Sequence, residues 1–545
     1  MSLSDVLPNI SPHDRPHRDA FARLTPFGWR GGLALIVCLL VFSFLLVGYF
    51  LVYWRNADMD FMVTYRSLSL GDGKYVFYEH PAYFTIVLVH YWLMLLSKFG
   101  AIGVSALSQV PSALNVAAFD AAMTDVVRAG RVLSLMTALA FVLVFACLAR
   151  GLLRDWRVAL LGTFAFAFSG GLSVHLRILR SEMISGCLFF FALATLILAA
   201  KRATSWRPLA VGFAALLCVL ALENKIHTVL LIGTLPLIIL PFGSLPTGEN
   251  AFWRNRAASW LAALALALGA TAALYAALPL LKIGLNPNET GISPPRPILG
   301  AFGVYQLVLM AMIVVCMAIY SWLWRVHASE FLAALFALVG GASIGLLALY
   351  LEFHAGTVAI VLNPLEEMIK YADPTAVSAT TGGGLLATVE IILSGVLSVF
   401  QRYTFFLFTS PRPTVFLTWL IFPGIVHAWR RGERQVAIQA TFLMFAAISV
   451  DALGVRRGLK AEYFILTDPL IILAGMLLLD RMSDLRNRKW AYPIGAALIA
   501  LHIGVSQAEP VKLAMKRSGP EGICDWNQHY LPNLPLPWCQ LPVKK

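Results

Sequence analysis

Residues Gly31 to Val52 read Gly-Gly-Leu-Ala-Leu-Ile-Val-Cys-Leu-Leu-Val-Phe-Ser-Phe-Leu-Leu-Val-Gly-Tyr-Phe-Leu-Val, without one charged side chain. Wound as a helix at ~1.5 Å per residue, the run is long enough to cross ~30 Å of hydrocarbon. A helix is also the form that satisfies every backbone amide within the segment at that depth. Val132 to Leu148, Ala257 to Leu281 and Phe331 to Leu351 are runs of the same kind. With 59% of the 545 residues hydrophobic and 13% charged, the apolar surface far exceeds what a soluble core could hold. The chain reads as an all-α polytopic membrane protein. Spans are expected at 31–53, 130–149, 158–173, 183–200, 208–223, 226–242, 257–281, 301–324, 330–351, 414–429, 435–451, 462–480 and 490–507, about thirteen in all.

A basic segment carrying Arg15, Arg18, Arg23 and Arg30 precedes the first span, and no small-residue cleavage pattern follows it. The span therefore reads as a retained anchor with a cytoplasmic N-terminus. The net charge of +13 is scattered through short loops, which suits membrane orientation and lipid headgroups better than nucleic acid. Loop charge also sorts two ambiguous apolar stretches. If 83–99 does not span, the loops bearing Arg150, Arg154, Arg157, Lys201, Arg202, Arg207, Arg254, Arg256 and Arg325 all face the cytoplasm. This stretch is expected to lie flat at headgroup level. Glu390, Gln401 and Arg402 argue likewise for a flat or re-entrant 385–408.

The resulting organisation is a cytoplasmic segment 1–30, a transmembrane core 31–351 whose first external loop is 54–129, an external loop 352–413, C-terminal spans 414–507 and an external tail 508–545. Irregular sequence concentrates on the external side, so function is expected there. Cys38, Cys147, Cys187, Cys218 and Cys316 lie within apolar runs and read as small hydrophobes. Cys524 and Cys539 lie in the tail, where an oxidising compartment would pair them.

The first external loop holds Asp58-Met59-Asp60, then Arg66, Asp72 and Glu79-His80-Pro81. One Asp there would serve as a helix N-cap. Two carboxylates at i and i+2, with further acidic, basic and imidazole groups in the same loop, suit a site in which a carboxylate deprotonates an acceptor hydroxyl or amine. His80-Pro81 reads equally well as the Pro-led first turn of the following helix.

An acidic motif at the outer end of the first span, a short helix ending in a Gly turn, and an acidic-His-Pro element before a juxtamembrane helix together resemble the GT-C glycosyltransferases that use polyprenyl-phosphate sugars. The likeness is to the protein O-mannosyltransferase and aminoarabinose lipid A transferase branch. It extends to Gly130-Arg-Val-Leu-Ser-Leu, to Arg177 through Glu182, to Asn224-Lys225 and to Glu462-Tyr463 through Pro469. The adjacent Asp-Glu of the mannosyltransferases is replaced here by Asp58-Met59-Asp60, and their His-Pro-Pro by His80-Pro81-Ala82.

The resemblance implies a GT-C fold with juxtamembrane helices on the external side, and an inverting transfer with Asp60 or Asp58 as general base, Asp60 being preferred for its deeper place in the helix. Glu79, His80 and Arg66 would line the pocket. The donor phosphate calls for cations, supplied by Lys225, by Arg177 with Arg180 beside Glu182, or by Arg456, Arg457 and Lys460 near Tyr463. No cofactor is expected, although a divalent cation at Asp58 and Asp60 is left open.

The implied partners are a polyprenyl-phosphate sugar and a lipid, glycan or protein acceptor in the bacterial inner membrane, with the C-terminus periplasmic. The alternative is a flippase of a lipid-linked sugar. That reading calls for similar halves with paired broken helices near mid-membrane, and the sequence shows no similarity between its halves.

Overall fold

The computed structural model describes residues 28–56, 60–73, 82–201, 205–225, 227–243, 251–285, 302–350, 393–401, 415–454, 461–482, 488–508, 511, 524, 531 and 534–539. These residues form helices and turns, with no strand among them. In chain order the helices are α1 Trp29–Phe44, prolonged by a π-helical turn Leu45–Tyr49; α2 Met62–Gly71; α3 Tyr83–Lys98; α4 Val116–Leu152; α5 Trp156–Ala167; α6 Gly170–His175; α7 Ser181–Lys201; α8 Arg207–Asn224; and α9 Thr228–Ile239. They continue as α10 Arg256–Leu285, α11 Phe302–Leu323, α12 Ala328–Tyr350, α13 Val415–Arg430, α14 Arg434–Gly454, α15 Phe464–Met482 and α16 Arg488–Ser506.

Among the described residues, seven helical stretches are long and apolar enough to cross a membrane: Trp29–Tyr49, Val116–Leu152, Ser181–Lys201, Arg207–Asn224, Arg256–Leu280, Ala328–Ala348 and Arg434–Ala452. The axis of the bundle is α15. Every residue from Tyr463 to Asp480 is buried, as the unbroken apolar run from Leu470 to Leu479 requires, and α5, α6, α7, α13 and α14 pack around it. A second seam joins α8 to α12. There a Cβ on Gly212 would stand 2.8 Å from the Ala337 carbonyl oxygen, and one on Gly341 would run into the Gly212 carbonyl. Glycine at both positions is what lets these backbones approach so closely.

Two expected spans take a different form. The second begins well before residue 130: α4 starts at Val116, where the Asn115 side chain accepts the Ala118 N–H at 3.3 Å. Among its described residues the first loop thus carries α2, α3 and the start of α4. The third expected span, 158–173, is broken after Ala167, and Ser169 caps the separate α6 by accepting the Leu172 N–H at 3.4 Å. The break is tied to α15, because the Gly171 N–H donates to Asp468 Oδ2 at 3.1 Å.

Helix α3 occupies the stretch expected to lie flat. With α2 and the first part of α4 it forms a distinct apolar cluster through Val63, Leu68, Ile86, Val89, Val126 and Leu133. The Trp92 indole N–H, donating to the Ala129 carbonyl at 2.9 Å, fixes α3 to α4. Of the helix expected at 385–408, only 393–401 is described, and it is helical. The basic N-terminal segment through residue 27 and the loop at 286–301 lie outside the described residues.

Candidate functional site

Asp60 sits two residues before α2, and its carbonyl accepts the Thr64 hydroxyl at 2.6 Å. The side chain is wholly buried. Its Oδ2 lies 2.8 Å from Arg131 Nε, and its Oδ1 accepts the Leu179 N–H. Arg131, also wholly buried, donates from its remaining nitrogens to the carbonyls of Leu51 and Val52. One ion pair thus stitches together the end of the first span, the start of α2, the middle of α4 and the segment before α7. A charge at such depth is tolerated only when it is paired and its remaining donors are satisfied, and both conditions hold here. The general base is expected to be Asp60 or Asp58, with Asp60 preferred, yet each oxygen of Asp60 is engaged and neither reaches the surface. That geometry suits holding the loop in place.

Directly after the amide that Asp60 accepts, a second charged cluster begins at Arg180. Glu182, wholly buried at the start of α7, accepts Lys225 Nζ at 2.8 Å and Arg180 Nε at 3.3 Å. Arg180 turns its other end to Glu462 at 3.4 Å. Lys225 Nζ also stands 5.3 Å over the Tyr463 ring, which stacks on His227 with centroids 4.7 Å apart. The cluster opens to solvent at Glu462, whose side chain is one-fifth exposed, whereas those of Glu182, Lys225 and Arg180 are buried.

Asn224 holds the same corner: its Oδ1 accepts the Thr85 N–H and hydroxyl at 2.9 and 2.8 Å, and its Nδ2 donates to the Ser181 carbonyl at 2.8 Å. The start of α3, the end of α8 and the start of α7 therefore meet on one side chain. His175, the last residue of α6, is buried with Nδ1 2.7 Å from the Gly171 carbonyl oxygen. Burial, only partly offset by the Glu182 carboxylate, lowers its pKa to about 4, so it is neutral at pH 7.

The expected site residues separate accordingly. Lys225, Arg180, Glu182 and Tyr463 come together. Arg177 does not join them: its guanidinium donates to the Ser43 hydroxyl at 3.0 Å and to the Ser173 carbonyl, bracing α1, and burial lowers its pKa to about 10. Arg66 is buried on α2 with its guanidinium carbon 5.4 Å from the Tyr65 ring centroid. Asp58, Glu79, His80, Arg456, Arg457 and Lys460 lie outside the described residues. Arg131, Asn224 and Glu462, which fall in stretches noted in the sequence but given no role there, complete the assembly together with His227. Arg131 carried a readable signal, since a lone charge inside an apolar run requires a buried partner.

Among the described residues, no three His, Cys, Asp or Glu side chains converge as a metal site would require. The Asp60 carboxylate faces a guanidinium, which would repel a divalent cation placed on the same oxygens.

No protein-family model matches the chain, and no curated protein matches it in sequence. Solved structures of similar course include the archaeal oligosaccharyltransferase AglB from Archaeoglobus fulgidus in complex with an inhibitory peptide and a dolichol-phosphate. It is 15% identical, with a TM-score of 0.48, over 90% of this chain and 56% of that one. The apo form of the A. fulgidus oligosaccharyltransferase is 14% identical, with a TM-score of 0.42, over 94% of this chain and 61% of that one. The complex of the same oligosaccharyltransferase with Zn and sulfate is 14% identical, with a TM-score of 0.40, over 88% and 53%. The chain spans less than two thirds of the length of these structures.

Proposed function

We propose that this protein is an integral membrane glycosyltransferase that moves a sugar from a polyprenyl-phosphate donor to an acceptor hydroxyl or amine. The observation that carries the reading is the proximity of two assemblies: Arg180 and Lys225 gathered around Glu182, and the acidic loop anchored by Asp60 to the Leu179 amide of the same segment. Breaking the bond between the anomeric carbon and the phosphate oxygen leaves the electron pair on the phosphate. Preorganised cations at that oxygen stabilise the charge as it develops. On the acceptor side a carboxylate takes the proton as the acceptor attacks from the opposite face of the sugar.

Asp58 is assigned as the base, because Asp60 is committed to Arg131 and Leu179. Asp60 and Arg131 then act as positioning residues for the start of α2. Lys225 and Arg180 hold the donor phosphate, with Glu182 keeping both in place between turnovers. The polyprenyl chain would lie along the apolar bundle, which puts the scissile bond at its polar end. This end is assigned to the periplasmic side, because the disulfide-bonded tail packs at the same place.

The test is transfer by the purified full-length protein in liposomes, supplied with undecaprenyl-phosphate pentoses and hexoses labelled in the sugar. Release of undecaprenyl phosphate together with a new glycosylated product supports the reading. Movement of intact donor between leaflets without release would replace it with a carrier.

A further inference from the structure

The described residues of the tail after α16 pack against the bundle. Leu531, Leu534 and Leu536 are buried, and they share one apolar cluster with Tyr53, Phe61, Met62 and Tyr65 around α2 and with Phe119, Met123 and Val127 of α4. The Trp538 ring stands 5.9 Å from Tyr53 and 6.5 Å from Phe119. Tyr53 is itself tied to α4 through its hydroxyl, which donates to Asp120 Oδ1 at 2.6 Å. Cys539, next to Trp538, is bonded to Cys524 across 15 positions of sequence. Prolines at 535 and 537 restrict the backbone between these anchors, which lowers the entropy lost on docking.

The consequence falls on α2. This helix has only ten residues, too short to be stable alone, yet Met62 through Ser69 are all buried. One of its sides is covered by α3 and α4 through Val63 and Leu68. The side bearing Phe61, Met62 and Tyr65 is where the tail leucines pack. Phe61 adjoins Asp60, so the tail reaches within one residue of the carboxylate that anchors the loop.

We propose that the disulfide-closed tail, through Leu531, Leu534, Leu536 and Trp538, is a positioning element for the acidic loop. It holds α2 against α4 so that Asp60 keeps its pairing with Arg131. The disulfide limits the conformations open to the undocked tail and thereby favours the docked arrangement. The effect on catalysis rests on the function proposed above, whereas the effect on α2 does not.

The experiment is amide hydrogen exchange on the full-length protein, comparing wild type with C524S/C539S and with W538A, alongside transfer kinetics and undecaprenyl-phosphate binding. Amides of α2 are expected to exchange about tenfold faster or more in C524S/C539S, with W538A intermediate, while α12 and α15 keep their protection. Turnover should fall by about tenfold with undecaprenyl-phosphate affinity unchanged, a split that a general loss of folded protein would not produce. Should the double variant fail to fold, the same exchange on wild type before and after mild reduction replaces it.

Unchanged protection of α2 would overturn the proposal, as would a rise in turnover, which would make the tail an inhibitory cover. If wild type transfers no sugar at all, the proposed function fails, and the exchange result alone still decides the role of the tail.

Discussion

Asp60 and Arg131, 71 positions apart in sequence, meet at 2.8 Å with neither side chain exposed to solvent. Removing one partner of such a pair leaves an uncompensated buried charge and costs about 3–5 kcal/mol, whereas replacing both with apolar residues of similar size is often tolerated. R131A is therefore expected to melt well below wild type in detergent. D60L/R131M should recover most of the lost stability without recovering transfer. A double variant as unstable as R131A would mean that the pair is held by more than its mutual compensation.

Lys225 and Arg180 are assigned to the donor phosphate. A charge-assisted hydrogen bond contributes about 1.5–3 kcal/mol, so K225A and R180A should each weaken undecaprenyl-phosphate binding by roughly 10- to 100-fold. Titration of the lipid into protein in nanodiscs measures this directly. Wild-type affinity in both variants would remove the cluster from donor recognition.

Glu462 competes for the same cation. It is the partly exposed carboxylate on Arg180 at 3.4 Å, and a bound phosphate would have to displace it or share the guanidinium. E462Q should bind undecaprenyl phosphate severalfold more tightly, in keeping with the modest strength of a partly exposed ion pair. Weaker binding in E462Q would indicate that Glu462 orders Arg180 for the ligand.

His175 should give stability a pH dependence. Its pKa is lowered to about 4 by burial, against about 6.5 in an unfolded chain. The unfolded state therefore binds the proton first, and the contribution of the neutral imidazole is fully present above pH 6.5 and lost as pH falls toward 4. The difference corresponds to about 3 kcal/mol over that window. Melting temperatures of wild type and H175N between pH 4 and 7.5 should converge toward the acid end. Parallel curves would show that another group carries the pH dependence.

Chelation should leave transfer intact, because the Asp60 carboxylate is compensated by Arg131. Loss of activity in EDTA, restored by a divalent cation, would return the acidic loop to a metal role.

Much of this was legible in the sequence, for reasons specific to each part. Apolar runs had to be helices, and α1, α7, α8 and α12 lie where the hydropathy places them. The start of α4 was not legible, because its first residues are amphipathic and pack on α2 and α3 instead of lipid, so hydropathy is silent there. The break between α5 and α6 had a signal in Ser169-Gly170-Gly171, a capping residue before two glycines inside an apolar run.

Lys225 stood out because Glu223 and Asn224 flank it at the end of a span. Arg177 and Arg180 read as one basic group, yet they sit in a turn and diverge, Arg177 toward Ser43 and Arg180 toward Glu182 and Glu462. The partner of Asp60 lay 71 residues away. Nothing in local pattern links the two, although a lone Arg131 in hydrocarbon already demanded some carboxylate.

The measurement that bears most directly on the whole account compares D58N and D60N in purified full-length protein, each checked for folding and for undecaprenyl-phosphate binding before transfer is assayed. D58N is expected to fold and bind the lipid as wild type does while turnover falls by about 10²- to 10⁴-fold, the loss expected for a missing general base, and D60N is expected to lose stability along with activity. Full transfer by a folded D58N would contradict the assignment of Asp58 as the base.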